Sequence, residues 1–168
     1  PPHIYWLTPL VSTIITAIIE RLAEELATAT LASQQAHASA THKENVAENK
    51  YDTLAVEAAY LAHGQSVRIA DLQASIAQYR HLDSAASTSH TTVQVGSTVT
   101  INNSNHQSQI LFIGPSAGGM KLTINGSEIL TVTPQTPMGS VLIGSAVNDE
   151  ISLLLGNERK WFSVIDIL

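Results

Sequence analysis

The sequence predicts an α+β chain, with a long N-terminal antiparallel α-helical hairpin over residues 1–85 and a mostly antiparallel β domain with one short helix over residues 86–168. Three observations carry this. Between residues 9 and 64 there is no Gly and no Pro, whereas residues 96–156 hold eight Gly and three Pro. Gly and Pro are the strongest breakers of regular structure, so the first half reads as long helix and the second as short strands joined by turns. Apolar residues recur every three or four positions in the first half and tend to alternate in the second. The stretch 83–92, with Ser84, Ser87, Thr88 and Ser89, has little to bury and marks the boundary.

In the first helix Leu10, Ile14, Ile18, Leu22 and Leu26 repeat every four residues, with Ile15 and Ile19 widening the stripe into one buried face. In the second, Leu54, Ala58, Leu61, Gln65, Ile69, Leu72, Ile76 and Tyr79 step by three or four, a coiled-coil seam with one polar member, Gln65. Side-chain size sets the orientation. Large residues begin the first run and end the second, while Ala29, Ala32, Ala36, Ala38 and Ala40 close the first and Ala55, Ala58, Ala59 and Ala62 open the second. Small meets small only if the helices run antiparallel, with the tip near residues 39–46. Thr41 with Glu44, or Asn45 with Glu48, has the spacing of a reciprocal cap for the second helix. Arms of about 30 residues reach about 45 Å, more than a compact domain needs, so the rod serves reach or dimerisation.

The second half offers strands at residues 93–102, 109–114, 120–132, 149–155 and 159–168. Asn125-Gly126 is a strong hairpin dipeptide, and residues 116–119 form a second turn candidate. Residues 136–144 open with a Pro suited to a first helical turn and close on Gly, which gives the short helix.

Composition removes several function classes. The chain has 8 Lys plus Arg against 14 Asp plus Glu, a net charge of −6, and neither half is basic: 5 against 9 up to residue 85, then 3 against 5. A general nucleic-acid binder needs cations to release phosphate counterions, so this balance argues against one. With no cysteine there is no disulfide framework, thiolate metal site or thiol nucleophile. The apolar stretch 4–19 lacks preceding Lys or Arg, is interrupted by Pro9 and is shorter than a bilayer span, so it reads neither as a signal nor as an anchor, and a soluble cytoplasmic protein is expected. The seven His residues show no metal-ligand spacing, residues 114–119 match neither a P-loop nor a dinucleotide loop, and no Ser sits on a nucleophile elbow.

Specific residues give a resemblance beyond architecture. The run Thr136-Pro137-Met138-Gly139-Ser140-Val141-Leu142-Ile143-Gly144, followed by Asn148-Asp149-Glu150, resembles the C-terminal run of the Gre family of bacterial transcription elongation factors, and Val95-Gly96-Ser97-Thr98-Val99 is similar to the family's first C-terminal strand. Glu48-Asn49-Lys50-Tyr51-Asp52 and Gly64-Gln65-Ser66-Val67-Arg68-Ile69 resemble its second helix. The resemblance covers nearly all residues after about 10. It implies that the β domain is FKBP-like and docks on RNA polymerase, and that the hairpin reaches through the secondary channel. RNA polymerase is then the partner, with indirect contact to RNA or DNA in the elongation complex and no membrane.

In cleavage-stimulating members an Asp and a Glu at the tip help hold a second Mg ion in the polymerase site, the two-metal logic of hard carboxylate oxygens around a metal-bound water. The factor lends ligands and is neither an enzyme nor a cofactor protein by itself. Here the family's Asp position falls on Thr41 or on Asn45, depending on whether its Glu-Asn is matched to Glu44-Asn45 or Glu48-Asn49. Both are neutral and coordinate Mg poorly, which implies weak or no transcript cleavage. Glu44, Glu48 and Asp52, spaced four apart, stay as the tip acids, although acids near a helix N-terminus are favoured whatever the function. Lys43 and Lys50 read as solvated. Arg68 is either a contact to RNA or polymerase or an i, i+3 partner of Asp71.

The Thr136, Pro137 and Met138 turn is the docking candidate; the competing reading is that Pro137 starts the helix while Val141, Leu142 and Ile143 cover the sheet. Two other functions compete. A peptidyl-prolyl isomerase needs an aromatic-lined pocket, for which the second half offers Phe112, Trp161 and Phe162. A structural coiled coil would form a homodimer through the apolar face of the first helix.

Overall fold

The computed structural model describes residues 8–41, 53–85 and 90–168. Two long helices, α1 (Thr8–Thr41) and α2 (Thr53–Ala85), precede a six-stranded sheet with one short helix. Two compact units result: one is Glu20–Ala77, and the other gathers Pro1–Ile19 with Gln78–Leu168.

In the helical unit, eleven residues join α1 to α2, which span at most about 40 Å even when extended, less than the roughly 50 Å length of a 34-residue helix. A parallel return is out of reach, so the arms run antiparallel. Leu22, Glu25, Ala29, Ala32 and Ala36 of α1 are buried or half-buried and alternate steps of three and four; so do Ala58, Ala62, Gln65, Ile69, Leu72 and Ile76 of α2. This is a heptad seam, narrowing to alanine toward the α1–α2 connection as the size pattern predicts.

One seam residue differs from the expectation. Leu61 is 64% exposed and Ala62 takes its place. Spacing decides this, because 58–62–65–69 keeps the four-three alternation, whereas 58–61–65–69 puts two steps of four together and rotates Leu61 off the seam. The apolar face of α1 offered for dimerisation is also occupied within the chain, with Ile14, Ile15 and Ile18 fully buried.

In the other unit the strands are β1 (Thr98–Asn103), β2 (Ser108–Ile113), β3 (Lys121–Ile124), β4 (Ser127–Val132), β5 (Glu150–Leu155) and β6 (Glu158–Ile167), with α3 (Pro137–Leu142) between β4 and β5. Their order in the sheet is β3-β4-β2-β1-β6-β5, antiparallel throughout except for the parallel pair β2 and β4. Asn125 and Gly126, both at positive φ, make the two-residue turn between β3 and β4, as that dipeptide favours. Residues 116–119 become the turn in the β2–β3 connection.

The first strand starts five residues later than the sequence suggests. Gly96 at φ +100° turns the chain, Ser97 N donates to the Gln94 carbonyl at 3.0 Å, and Val93 exchanges hydrogen bonds with Gly144 and Ser145 instead of entering the sheet. The core on the α3 face joins Val93, Val99, Ile101, Leu111, Ile113, Val132, Leu142, Ile151 and Val164. On the opposite face Phe112, Ile124 and Ile129 are buried.

Candidate functional site

The turn expected to dock is built by α3 and what precedes it. Thr136 is the N-cap: its Oγ1 donates to the Thr133 carbonyl at 2.7 Å and accepts from the backbone N–H groups of Thr133 and Gly139, each at 3.2 Å. Pro137, with no N–H to satisfy, fills the first helical position and is exposed. Gly139 is buried against the Thr133 carbonyl, where any Cβ would collide. These contacts fix the turn without help from a partner. Met138 is half-buried against the sheet core, so Pro137 is the side chain of the three that the turn presents to solvent most fully.

Both readings of this segment hold in part, since Pro137 starts α3 and also stands exposed. Val141 and Leu142 cover the sheet, but Ile143 does not: it is 40% exposed, because the helix ends at Leu142 and the following Gly144 at φ +83° redirects the chain. Asp149, in the segment resembling the family's Gly-Asp, accepts a hydrogen bond from Ala146 N at 2.8 Å and so closes a turn.

Glu44, Glu48 and Asp52, expected as tip acids, lie outside the described residues together with Asn45, Lys43 and Lys50; Thr41 is the last residue of α1. On the arms, Arg68 pairs with Glu25 of α1 at 3.3 Å, across the hairpin, instead of with Asp71. Spacing along one helix cannot reveal a partner on another. The pair borders an open groove of about 410 Å³ lined by Arg21, Glu24, Glu25 and Gln65 among others, where two cations and two anions balance. Among the described residues no three His, Asp or Glu side chains converge on a point that could hold a metal.

The aromatic residues a proline pocket would need do not converge. Phe112 is fully buried on one face of the sheet, Phe162 packs on the other with the α3 core, and Trp161 shares the Phe112 side of the sheet yet is half-exposed. Trp161 pairs with Ser152, and Leu154, diagonal to it on β5, is also exposed. Alternation along β5 and β6 foretold strands; which face stayed uncovered depended on the other elements.

No family model matches the chain, and no curated protein matches it. Among the solved structures similar to the chain are three at low identity. They are the transcription factor Gfh1, 19% identical over 89% of this chain and 92% of that one with a TM-score of 0.38; GreA factor homolog 1 (Gfh1) of Thermus thermophilus, 16% identical over 94% of each chain with a TM-score of 0.36; and Gfh1 of Thermus aquaticus, 20% identical over 88% and 92% with a TM-score of 0.39. Likeness at this level assigns no activity. Among the described residues, no helix is long and apolar enough to cross a membrane.

Proposed function

We propose that the chain is a cytoplasmic regulator of transcription elongation that binds RNA polymerase, inserts its hairpin into the secondary channel and stimulates transcript cleavage weakly or not at all. The observation that carries this is the pair of long helices zipped antiparallel by one heptad seam, 34 and 33 residues, each about 50 Å long. A chain of 168 residues needs no such length to bury its own core, so the length is reach. The Gre-like run at residues 136–144 folds as a capped helix with Pro137 exposed, which suits a docking element.

In the sequence Glu44, Glu48 and Asp52 fall between the residues of α1 and those of α2, and in this reading they are the carboxylates that approach a polymerase-bound Mg ion. The neutral Thr41 or Asn45 at the family's Asp position leaves that ion short of one hard oxygen ligand. The protein regulates and is not itself the catalyst.

The test is retention on purified core polymerase, with competition by a Gre cleavage factor. Binding that the competitor displaces is expected, and absence of binding overturns the reading. Backtracked complexes should then show little added cleavage, whereas strong cleavage lost in Glu44→Ala would refute the weak-cleavage part.

A further inference from the structure

The face of α2 opposite the hairpin seam carries a second heptad. Val56, Tyr60, His63, Val67, Ala70, Ala74 and Ala77 alternate steps of four and three over three turns of the repeat, all within the helical unit. Every one of them is exposed, Tyr60 by 74%, and no Asp, Glu, Lys or Arg interrupts the series. The corresponding outward side of α1 carries Glu20 and Glu24 and has no such stripe. A helix that satisfied one neighbour and met water elsewhere would place charge on this face; α2 instead repeats the spacing that packs a helix against another helix.

We propose that this face is a self-association seam, on which α2 of a second copy packs antiparallel. The distribution of volumes selects both occupant and direction. Bulky Tyr60, His63 and Val67 fill the N-terminal half, and Ala77, Ala74 and Ala70 fill the C-terminal half at matching positions. Antiparallel pairing about a two-fold axis between Val67 and Ala70 sets Tyr60 against Ala77, His63 against Ala74 and Val67 against Ala70 of the second copy, each a large residue against a small one. Parallel pairing would oppose Tyr60 to Tyr60 and alanine to alanine, leaving crowding at one end and voids at the other. In the antiparallel register Asp71 lies beside Gly64 and Ser66 beside Gln73 of the second copy, so no like charges face each other. The contact is isologous and therefore closes at two copies. The inference is independent of the functional reading above.

Sedimentation of the full chain over a concentration series tests it. A reversible rise from monomer to dimer mass is expected, stopping at two, and Val67→Glu should weaken the dimer at least about tenfold while far-UV dichroism stays that of the parent, because Val67 is 49% exposed and lies on the face of α2 turned away from the hairpin seam. The cysteine-free sequence allows a register test that does not depend on that variant. When Tyr60→Cys and Ala77→Cys proteins are mixed and oxidised, the disulfide should join the two different variants. Monomer mass up to the solubility limit, a dimer indifferent to Val67→Glu, or disulfides forming chiefly between like variants would each overturn the proposal.

Discussion

The phenol of Tyr79, near the end of α2, donates a 2.7 Å hydrogen bond to the Ser116 carbonyl, and the ring passes where Gly114 has no side chain. A Cβ on Gly114 would collide with the Tyr79 oxygen. Tyr79→Phe keeps the ring and orphans the carbonyl, so a loss of about 1–2 kcal/mol is expected in urea unfolding. Gly114→Ala displaces the ring itself and should cost more, about 3 kcal/mol.

The same residue sets a pH dependence. Burial pushes the Tyr79 phenol well above its ordinary range. As pH rises past about 10 the unfolded chain loses this proton while the folded chain keeps it, so stability falls by up to about 1.4 kcal/mol per pH unit. Below that range Tyr79 adds no pH dependence. Unfolding of the parent and Tyr79→Phe proteins between neutral and strongly alkaline pH should therefore show the parent's advantage shrinking as pH rises.

Gly139 stands within collision distance of the Thr133 backbone and of Thr136 Oγ1 once it carries a Cβ, and backbone cannot swing aside. Gly139→Ala is expected to cost at least about 3 kcal/mol, whereas Thr136→Ala, which removes the cap alone, should cost about 1 kcal/mol. Comparison of their thermal midpoints checks the order.

At Gly64 the expectation reverses. It lies inside α2, is exposed, and an added Cβ would meet nothing within 4 Å. Gly64→Ala should stabilise the chain by about 0.5–1 kcal/mol through helix propensity and a less flexible unfolded state, read as a raised denaturation midpoint. Arg68→Ala should fall within about 1 kcal/mol of the parent and lose any effect in high salt, since its pair with Glu25 is 3.3 Å long and solvent-exposed on both sides.

Much of this architecture was legible from spacing. Absence of breakers marked both long helices, alanine placement gave the antiparallel hairpin, and Asn125-Gly126 and Pro137 located a turn and a helix start. What stayed hidden depended on partners distant in sequence. Leu61 looked a better seam residue than Ala62 because size is conspicuous, but the helix turns by spacing and places the smaller residue inward. Residues 93–95 read as strand on their own, and the turn at Gly96 takes them to the segment after α3. Arg68 found Glu25 on the neighbouring helix. Thr131, unnoticed in the sequence, is fully buried and ties Met120 N and the Ala117 carbonyl with its hydroxyl, each at 2.9 Å. Of the candidate site, Thr136 and Pro137 were readable because caps obey local chemistry.

The position of β5 at the end of the strand order has a colloidal consequence. Among the described residues no strand neighbours its outer backbone groups, and the stretch from Ile151 to Leu155 holds five uncharged residues, of which Leu154 and Leu155 are exposed. Such an edge is a template for another strand, and the segment itself has the makings of a stacked fibril. What opposes such edge-to-edge contact is the net charge of −6, whose reach shrinks to about 10 Å in 0.1 M salt. Concentrated protein therefore keeps best in dilute buffer above its isoelectric range, and salting it is the surest way to bring those edges together.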